Sequence, residues 1–187
     1  MRLRDAARRT FADRGYAGAR VEDIVAEAGL SHGTFYTYFE NKAAALDALI
    51  DLTSAQLQMI VDEPWDGPDA STTVRAVIHR FVAVFAEHGD VVGVWLEASA
   101  YDQHFRDRLR EVRADYVRRV AEVLDPVLAD GPHRAVDVAT ALVAMVEGYA
   151  SQCLVDPDSV RRAEVVHILS RLWFGGLLEL AGSDAHA

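Results

Sequence analysis

An all-α fold follows from three observations on this chain of 187 residues. Apolar residues recur every three or four positions, the spacing of one helix face. Strand-like alternation is scarce, and only five prolines interrupt the chain. Half of the composition is hydrophobic (51%) at a mean hydropathy of +0.02, enough to fill a sizeable core. Disorder and an all-β fold are therefore set aside. The expected architecture is about nine helices, a small N-terminal helical unit followed by a larger bundle.

The elements come in the following order. Leu3, Ala7 and Phe11 fall four apart and predict a first helix over residues 3–14, which GYAG at 15–18 breaks. Val21, Ile24, Val25 and Ala28 mark a second helix, with Gly29 as its stop. Ser31 is a good N-cap for a third helix over 32–38, and Asn41 for a fourth carrying Leu46, Leu49, Ile50 and Leu57. EPWDGPDAS at 63–71 reads as a linker. Helices at about 72–87, 90–100 and 103–129 follow, then a DGPH turn at 130–133 and two more helices near 134–154 and 159–181, split by DPDS.

Nineteen basic residues against 29 acidic ones leave a net charge of −10, which argues against indiscriminate nucleic-acid binding. The imbalance is uneven: residues 1–46 hold seven basic and six acidic side chains, so the acidity belongs to the rest. The N-terminal part is free to meet an anion. The opening MRLRDAARRTF has no apolar core of a signal peptide, and Asp137, Glu147, Arg171 and Glu179 break the most apolar late segments. A cytoplasmic protein without membrane contact is expected. Cys153 is the single cysteine, so no intramolecular disulfide is available. The histidines show no i, i+4 pair, and no glycine-rich phosphate loop occurs. Neither a metal, a cofactor nor a catalytic residue is assigned, and an enzyme is not the expectation.

The most informative stretch is GLSHGTFYTYFENK at 29–42. Two helices joined by a short glycine-containing turn form the minimal helix-turn-helix pattern. At about 100° per residue, Phe35 and Phe39 share the inward face while Gly33 and Thr37 lie opposite. Thr34 and Tyr36 border that outer face, and His32 and Tyr38 flank the buried pair. A short helix presenting Thr, Tyr and His suits the major groove. Its hydroxyls, the Ser31 cap and its N-terminal N–H groups are phosphate donors. Lys42 is the only lysine, at a helix start where a cation gains nothing from the dipole; a phosphate contact would explain it. An ordinary tight turn with a solvated face is the plain alternative.

Residues 21–46, VEDIVAEAGLSHGTFYTYFENKAAAL, resemble the helix-turn-helix signature of TetR-family transcriptional regulators. Gly29, Leu30, Ser31, Gly33, Thr34, Tyr36, Tyr38, Phe39 and Lys42 match, as do Phe11 and the Arg14-Gly15-Tyr16 entry, so the likeness covers roughly residues 3–50. It implies a helix-turn-helix DNA-binding domain at 1–46 and a ligand-binding and dimerisation bundle at 47–187. It implies a homodimer on a palindromic operator in double-stranded DNA, released by a small-molecule effector and acting as a repressor. It places Thr34, Tyr36, Tyr38 and Lys42 on phosphates, with Thr37 and Tyr36 or Gly33 near bases. Two positions depart from the pattern. Arg20 stands where a capping Thr or Ser is common, and is either a phosphate contact or tolerated. His32 stands where Lys or Arg is common, which weakens the electrostatic attraction.

In the bundle, the last two helices are apolar on more than one face, so a second partner is expected. Leu142, Leu169, Leu172, Trp173 and Leu177 are the candidates for a homodimer interface. Gly175 and Gly176 inside the last helix are costly unless a neighbouring helix approaches closely. Candidates for lining an effector pocket are Phe81, Phe85, Trp95, Tyr101, Tyr116, Met145 and Tyr149, although core packing accounts for each singly. Glu147 has three readings: a polar ligand group, a pair across the dimer, or solvent. The arginines at 106, 108, 110, 113, 118 and 119 form a solvated face or an anchor for an anionic ligand. An apolar or amphipathic effector is expected. The rival readings are a helical small-molecule-binding or catalytic protein with a purely structural N-terminal unit, and a DNA-binding regulator without a ligand.

Overall fold

The computed structural model describes residues 2–62, 70–129, 131–155 and 162–180, and holds nine helices and no strand among them. These are α1 (Arg2–Gly18), α2 (Val21–Ala28), α3 (His32–Tyr38), α4 (Lys42–Asp62), α5 (Ala70–Glu87), α6 (Gly89–Tyr101), α7 (Gln103–Leu128), α8 (Ala135–Val155) and α9 (Arg162–Leu180). The all-α expectation holds. Most of the 63–71 linker, the 156–159 turn and the Cys153 side chain lie outside the described residues; Ala70 and Ser71 open α5.

Local chemistry sets the ends of the first helices. α1 carries a break at Gly15, whose φ of 68° and ψ of 173° belong to glycine. Gly29 closes α2 in the left-handed conformation (φ 62°, ψ 40°). The N–H of Leu30 reaches Val25 O at 3.0 Å and that of Gly29 reaches Ala26 O at 3.1 Å, the Schellman pattern that satisfies the last carbonyls. Ser31 caps α3 by accepting the Thr34 N–H at 3.3 Å, and the Asn41 side chain accepts the Ala44 N–H at 2.9 Å to start α4. Arginine has no acceptor with which to cap α2. The opening of α2 is instead fastened from the other side, where the Asp23 carboxylate accepts the Arg20 N–H at 3.1 Å.

The chain forms two compact units. The first combines Met1–Gln56 with His88–Arg110, so α6 and the start of α7 fold with the N-terminal helices. Its core holds Phe11, Ile24, Phe35, Leu46, Ile50, Trp95 and Phe105. The Trp95 indole N–H donates to the Phe105 carbonyl at 3.1 Å. The second unit combines Leu57–Glu87 with residues 111 onward. Val74, Ile78, Val82, Val120, Leu124, Val143, Val166, Leu169, Trp173 and Leu177 share its core. At the α7–α8 turn, a side chain at Gly131 would meet the Leu180 carbonyl oxygen at 2.9 Å, so that position requires glycine.

This burial corrects part of the sequence reading of α9. Leu169, Trp173 and Leu177 are buried within the chain's own core, which consumes the face they occupy. Leu142 packs half-buried against the same core, and the Trp173 indole N–H donates to its carbonyl at 3.3 Å. Leu172 is different: it is 57% exposed, on a side of α9 shared with Ile168 and Leu178. Among the described residues, a side chain added at Gly175 or Gly176 would meet nothing within 4 Å, so no described helix crowds either glycine.

Candidate nucleic-acid interface

The α2–turn–α3 segment is built as a platform. Phe35 is fully buried, with its ring centroid 5.6 Å from that of Phe39 and 5.4 Å, edge-on, from that of Tyr36. With Phe35 pinned inward, a helix of only seven residues (His32–Tyr38) has its other side turned to solvent. Tyr36 and Tyr38 are 57% and 70% exposed, and Ser31, His32, Gly33 and Thr37 are exposed as well. The hydroxyls are already oriented: Ser31 Oγ and Thr34 Oγ1 lie 3.0 Å apart, and the Thr37 hydroxyl donates to the Gly33 carbonyl at 3.0 Å. This is the outward array that the spacing predicts. It offers hydroxyl donors and acceptors over a rigid aromatic base and has the dimensions of a major-groove reader.

Carboxylates of α2 lie against several nearby arginine and histidine side chains. Arg9 meets Glu27 at 2.6 Å, Arg14 meets Asp23 at 3.4 Å, and the His32 ring lies 3.8 Å from Glu22. Arg20 is exposed and precedes α2.

Lys42 has an occupation that sequence reasoning did not find. Its ammonium donates to the carbonyls of Tyr16 (2.7 Å), Ala19 (3.0 Å) and Ala17 (3.5 Å) and lies 4.6 Å from the centroid of the Tyr16 ring. Tyr16 and Ala17 lie in the last turn of α1 and Ala19 directly follows it, at the negative end of the helix dipole. The cation that gains nothing from its own helix therefore gains from another. Tyr16 also packs edge-on to Phe105 with centroids 5.1 Å apart, and burial, then the charges of Asp102 and Asp47, push its phenol above the usual range. Earlier in α1, Arg8 forks onto Asp90 of α6 with bonds of 2.6 and 2.8 Å. Burial alone pushes the Asp90 carboxyl up. Hydrogen bonds and charge from Arg8, aided by backbone N–H groups, outweigh it and hold the group below the usual carboxylate range.

The second unit contains a small cavity of about 30 Å³, lined by Phe81, Tyr116, Val120, Val143, Val146 and Trp173 with aliphatic groups of α4 and α5. Among the described residues, no charged one lines it. Two of the residues expected to line a pocket, Phe81 and Tyr116, do so. Phe85 stacks on Phe81 with centroids 4.8 Å apart, and Met145 and Tyr149 pack against the surrounding core. Trp95 and Tyr101 belong to the other unit, Trp95 in its core and Tyr101 78% exposed, so neither lines this cavity. Glu147 pairs within the chain, with Arg113 at 2.8 Å. Its neighbours in the arginine series are paired too: Arg106 to the carbonyls of Ser99 and Ala100, Arg108 to Asp51, Arg110 to Asp107, and Arg118 to Asp115 and Glu122.

A packed helix-turn-helix with a polar outward face, carried by a chain that also holds a helical bundle with an apolar cavity, defines a DNA-binding regulator. Comparison with known proteins agrees. Residues 3–49 match the model of bacterial regulatory proteins of the tetR family, and residues 70–173 match the C-terminal model of BetI-type transcriptional repressors. The HTH-type transcriptional regulator EthR of Mycobacterium tuberculosis is 31% identical over 171 residues, 86% of this chain and 78% of that protein. The fatty acid metabolism regulator protein of Bacillus subtilis is 26% identical over 133 residues, 70% of this chain and 66% of its own length. Among solved structures, the fatty acid degradation regulator FadR of Bacillus halodurans superposes with a TM-score of 0.79 at 20% identity, over 94% of each chain. A putative transcriptional regulator of Pseudomonas aeruginosa superposes at 0.75 and 20% identity, covering 99% of this chain and 92% of that one. The chain belongs to the TetR family of transcriptional regulators, and it is a ligand-responsive DNA-binding regulator of the repressor class.

Proposed function

We propose that this regulator binds a palindromic operator as a homodimer through α3 and releases it when an apolar or amphipathic molecule enters the bundle. The observation that carries the DNA-reading assignment is the polar, exposed face of α3 above the buried Phe35. Ser31, Gly33, Thr34, Tyr36, Thr37 and Tyr38 form the contact set, with Thr37 and Tyr36 nearest to bases and Arg20 and His32 at its edges. Residues 1–46 carry the reading function, and residues 47–187 carry ligand binding and dimerisation. A site of action beside the chromosome makes the protein cytoplasmic, and its work is binding rather than catalysis. Among the described residues no helix is long and apolar enough to cross a membrane.

Ile168, Leu172, Gly175 and Leu178 recur three or four apart on α9, and all three large side chains are exposed. That stripe supports a symmetric apolar interface between two copies. The uncharged lining supports an apolar effector. A cavity of about 30 Å³ is far below the roughly 300–1,000 Å³ of a small-molecule site, so the occupied state requires repacking around Phe81 and Tyr116. A ligand that binds this expanded state better than the operator-bound state shifts the population away from DNA.

The test is selection of duplexes from a random pool by the wild-type chain, followed by thermal-shift screening of fatty acids and amphipathic amines with and without the recovered duplex. A palindromic consensus is expected. Operator DNA should weaken ligand binding by about 5–150-fold, as linkage requires. Ligand affinity that ignores the duplex would refute the switch.

A further inference from the structure

The break in α1 at Gly15 is answered by a residue of another helix. The carboxylate of Glu97, on α6, accepts the N–H of Tyr16 at 3.0 Å through one oxygen and that of Ala17 at 3.2 Å through the other. Beyond the break a new turn begins, closed by the Ala19 N–H on the Gly15 carbonyl at 3.2 Å. The N–H groups of Tyr16 and Ala17 are the leading donors of that turn, the groups a helix start leaves without a partner in its own ladder. The far end of the same turn presents the carbonyls of Tyr16, Ala17 and Ala19 to the Lys42 ammonium. One turn of backbone is thus gripped by an anion at its positive end and a cation at its negative end, the favourable sense for both. The next residue, Arg20, leads into α2.

We propose that Glu97 is a positioning residue for DNA binding. It seats the 15–19 turn on α6, and this sets the direction in which α1 hands the chain to the α2–α3 reader.

Gly15 carries the complementary evidence. A Cβ there would lie 2.6 Å from Glu97 Oε2 and 3.0 Å from Oε1, so the carboxylate occupies the space that the missing side chain leaves. The break therefore has two functions: it frees two N–H groups, and it lets a carboxylate approach them. α6 is fixed to α1 a second time by the Arg8–Asp90 fork. Arg8 precedes the break and Tyr16 and Ala17, which Glu97 holds, follow it, so α6 holds both segments of α1. A shift of α6 then moves the turn directly, because hydrogen bonds weaken steeply once their geometry is disturbed. The inference rests on the DNA-binding reading and adds to it a residue outside the reading helices, 81 positions away in sequence from the Tyr16 it holds.

The experiment uses the full-length chain and a duplex recovered by the wild type from a random pool. Glu97→Ala, Glu97→Gln and Gly15→Ala are compared with a control, Glu122→Gln, which removes one of the two exposed carboxylates that bind Arg118. Glu97→Ala is expected to weaken duplex binding by about tenfold. Glu97→Gln keeps one acceptor oxygen and should weaken it less. Gly15→Ala should weaken it comparably to Glu97→Ala, and the Gly15→Ala/Glu97→Ala double variant should lose less than the product of the single losses. The amide protons of Tyr16 and Ala17 should lose exchange protection in Glu97→Ala while the Phe35 and Phe39 amides keep theirs, a signature that general destabilisation does not produce.

Binding within twofold of wild type for folded Glu97→Ala and Gly15→Ala would overturn the proposal. So would unchanged protection at Tyr16 and Ala17, or equal loss of protection throughout the first unit. If Glu97→Ala does not fold, Glu97→Gln and Gly15→Ala decide by the same criteria. A wild-type chain that recovers no duplex removes the DNA-binding reading itself, a result obtained before any variant is made.

Discussion

The two units of this chain are fastened by different physics. In the first, helices far apart in sequence are tied by directed polar bonds: Arg8 to Asp90, Glu97 to the backbone of α1, Lys42 to its last carbonyls, and His104 to Asp47 at 2.8 Å. In the second, the core consists of Val, Leu, Ile and Trp side chains, with the Arg113–Glu147 pair at its margin. Hydrogen bonds weaken steeply with angle, so a unit that adds them to its apolar core has a more sharply defined shape. Hydrophobic burial is non-directional, so a unit built on it can repack at modest cost. A reader of DNA needs the first property, because contacts must meet base edges in register. A receptor for an apolar molecule needs the second, because its cavity is smaller than any ligand of ordinary size.

The sharpest break of this contrast is Phe35→Ala. Phe35 is the buried foot of the reader, and its removal should cost about 3–5 kcal/mol of stability and abolish operator binding, as chemical denaturation and a duplex titration will record. Leu172→Glu comes next. Its site is exposed in the single chain, so the fold should survive while light scattering reports monomers and palindrome binding is lost; an intact dimer would move the interface elsewhere. Tyr36→Ala should leave the fold unchanged and weaken operator binding by about 1–3 kcal/mol, whereas Thr37 substitutions should alter sequence preference more than affinity.

Lys42→Ala distinguishes two roles for one residue. If the ammonium serves the end of α1, as its three carbonyl bonds indicate, all duplexes weaken alike and the slope of log K against log salt stays the same. A slope reduced by about one unit per protomer would return Lys42 to the phosphates. The smallest effect concerns acid. Asp90 has a lowered carboxyl pKa in the folded chain. Its contribution is complete above the unfolded carboxylate range and is lost as pH falls through the folded value, below about pH 4. Asp90→Asn should flatten that part of the stability profile and leave neutral behaviour above it unaltered apart from a constant offset.

Much of the first unit was readable in advance. Gly29 as a stop, Ser31 and Asn41 as caps, and Phe35 as the inward aromatic are local codes, decided by the few residues on either side. The outward array of α3 follows from Phe35 by helical geometry alone. The partners of Lys42 and Glu147 were not readable. Tyr16 lies 26 residues from Lys42, and nothing in either neighbourhood names the other. Glu97 drew no notice for the same reason, since its acceptors serve backbone groups whose need arises only from the break at Gly15.

The dependence on range divides the molecule's properties. Helix positions, the reading face and the apolar character of the bundle are determined by the sequence itself, because caps, glycine stops and a periodicity of 3.6 residues act within one or two turns. The tertiary structure decided which side of α9 is consumed by the chain's own core, burying Leu169, Trp173 and Leu177 and leaving Leu172 outside. It also decided that Trp95 and Tyr101 fold with the N-terminal unit rather than around the cavity. An apolar residue carries no address. Burial rewards any apolar partner equally, so the choice among faces is made only when all the helices are packed at once.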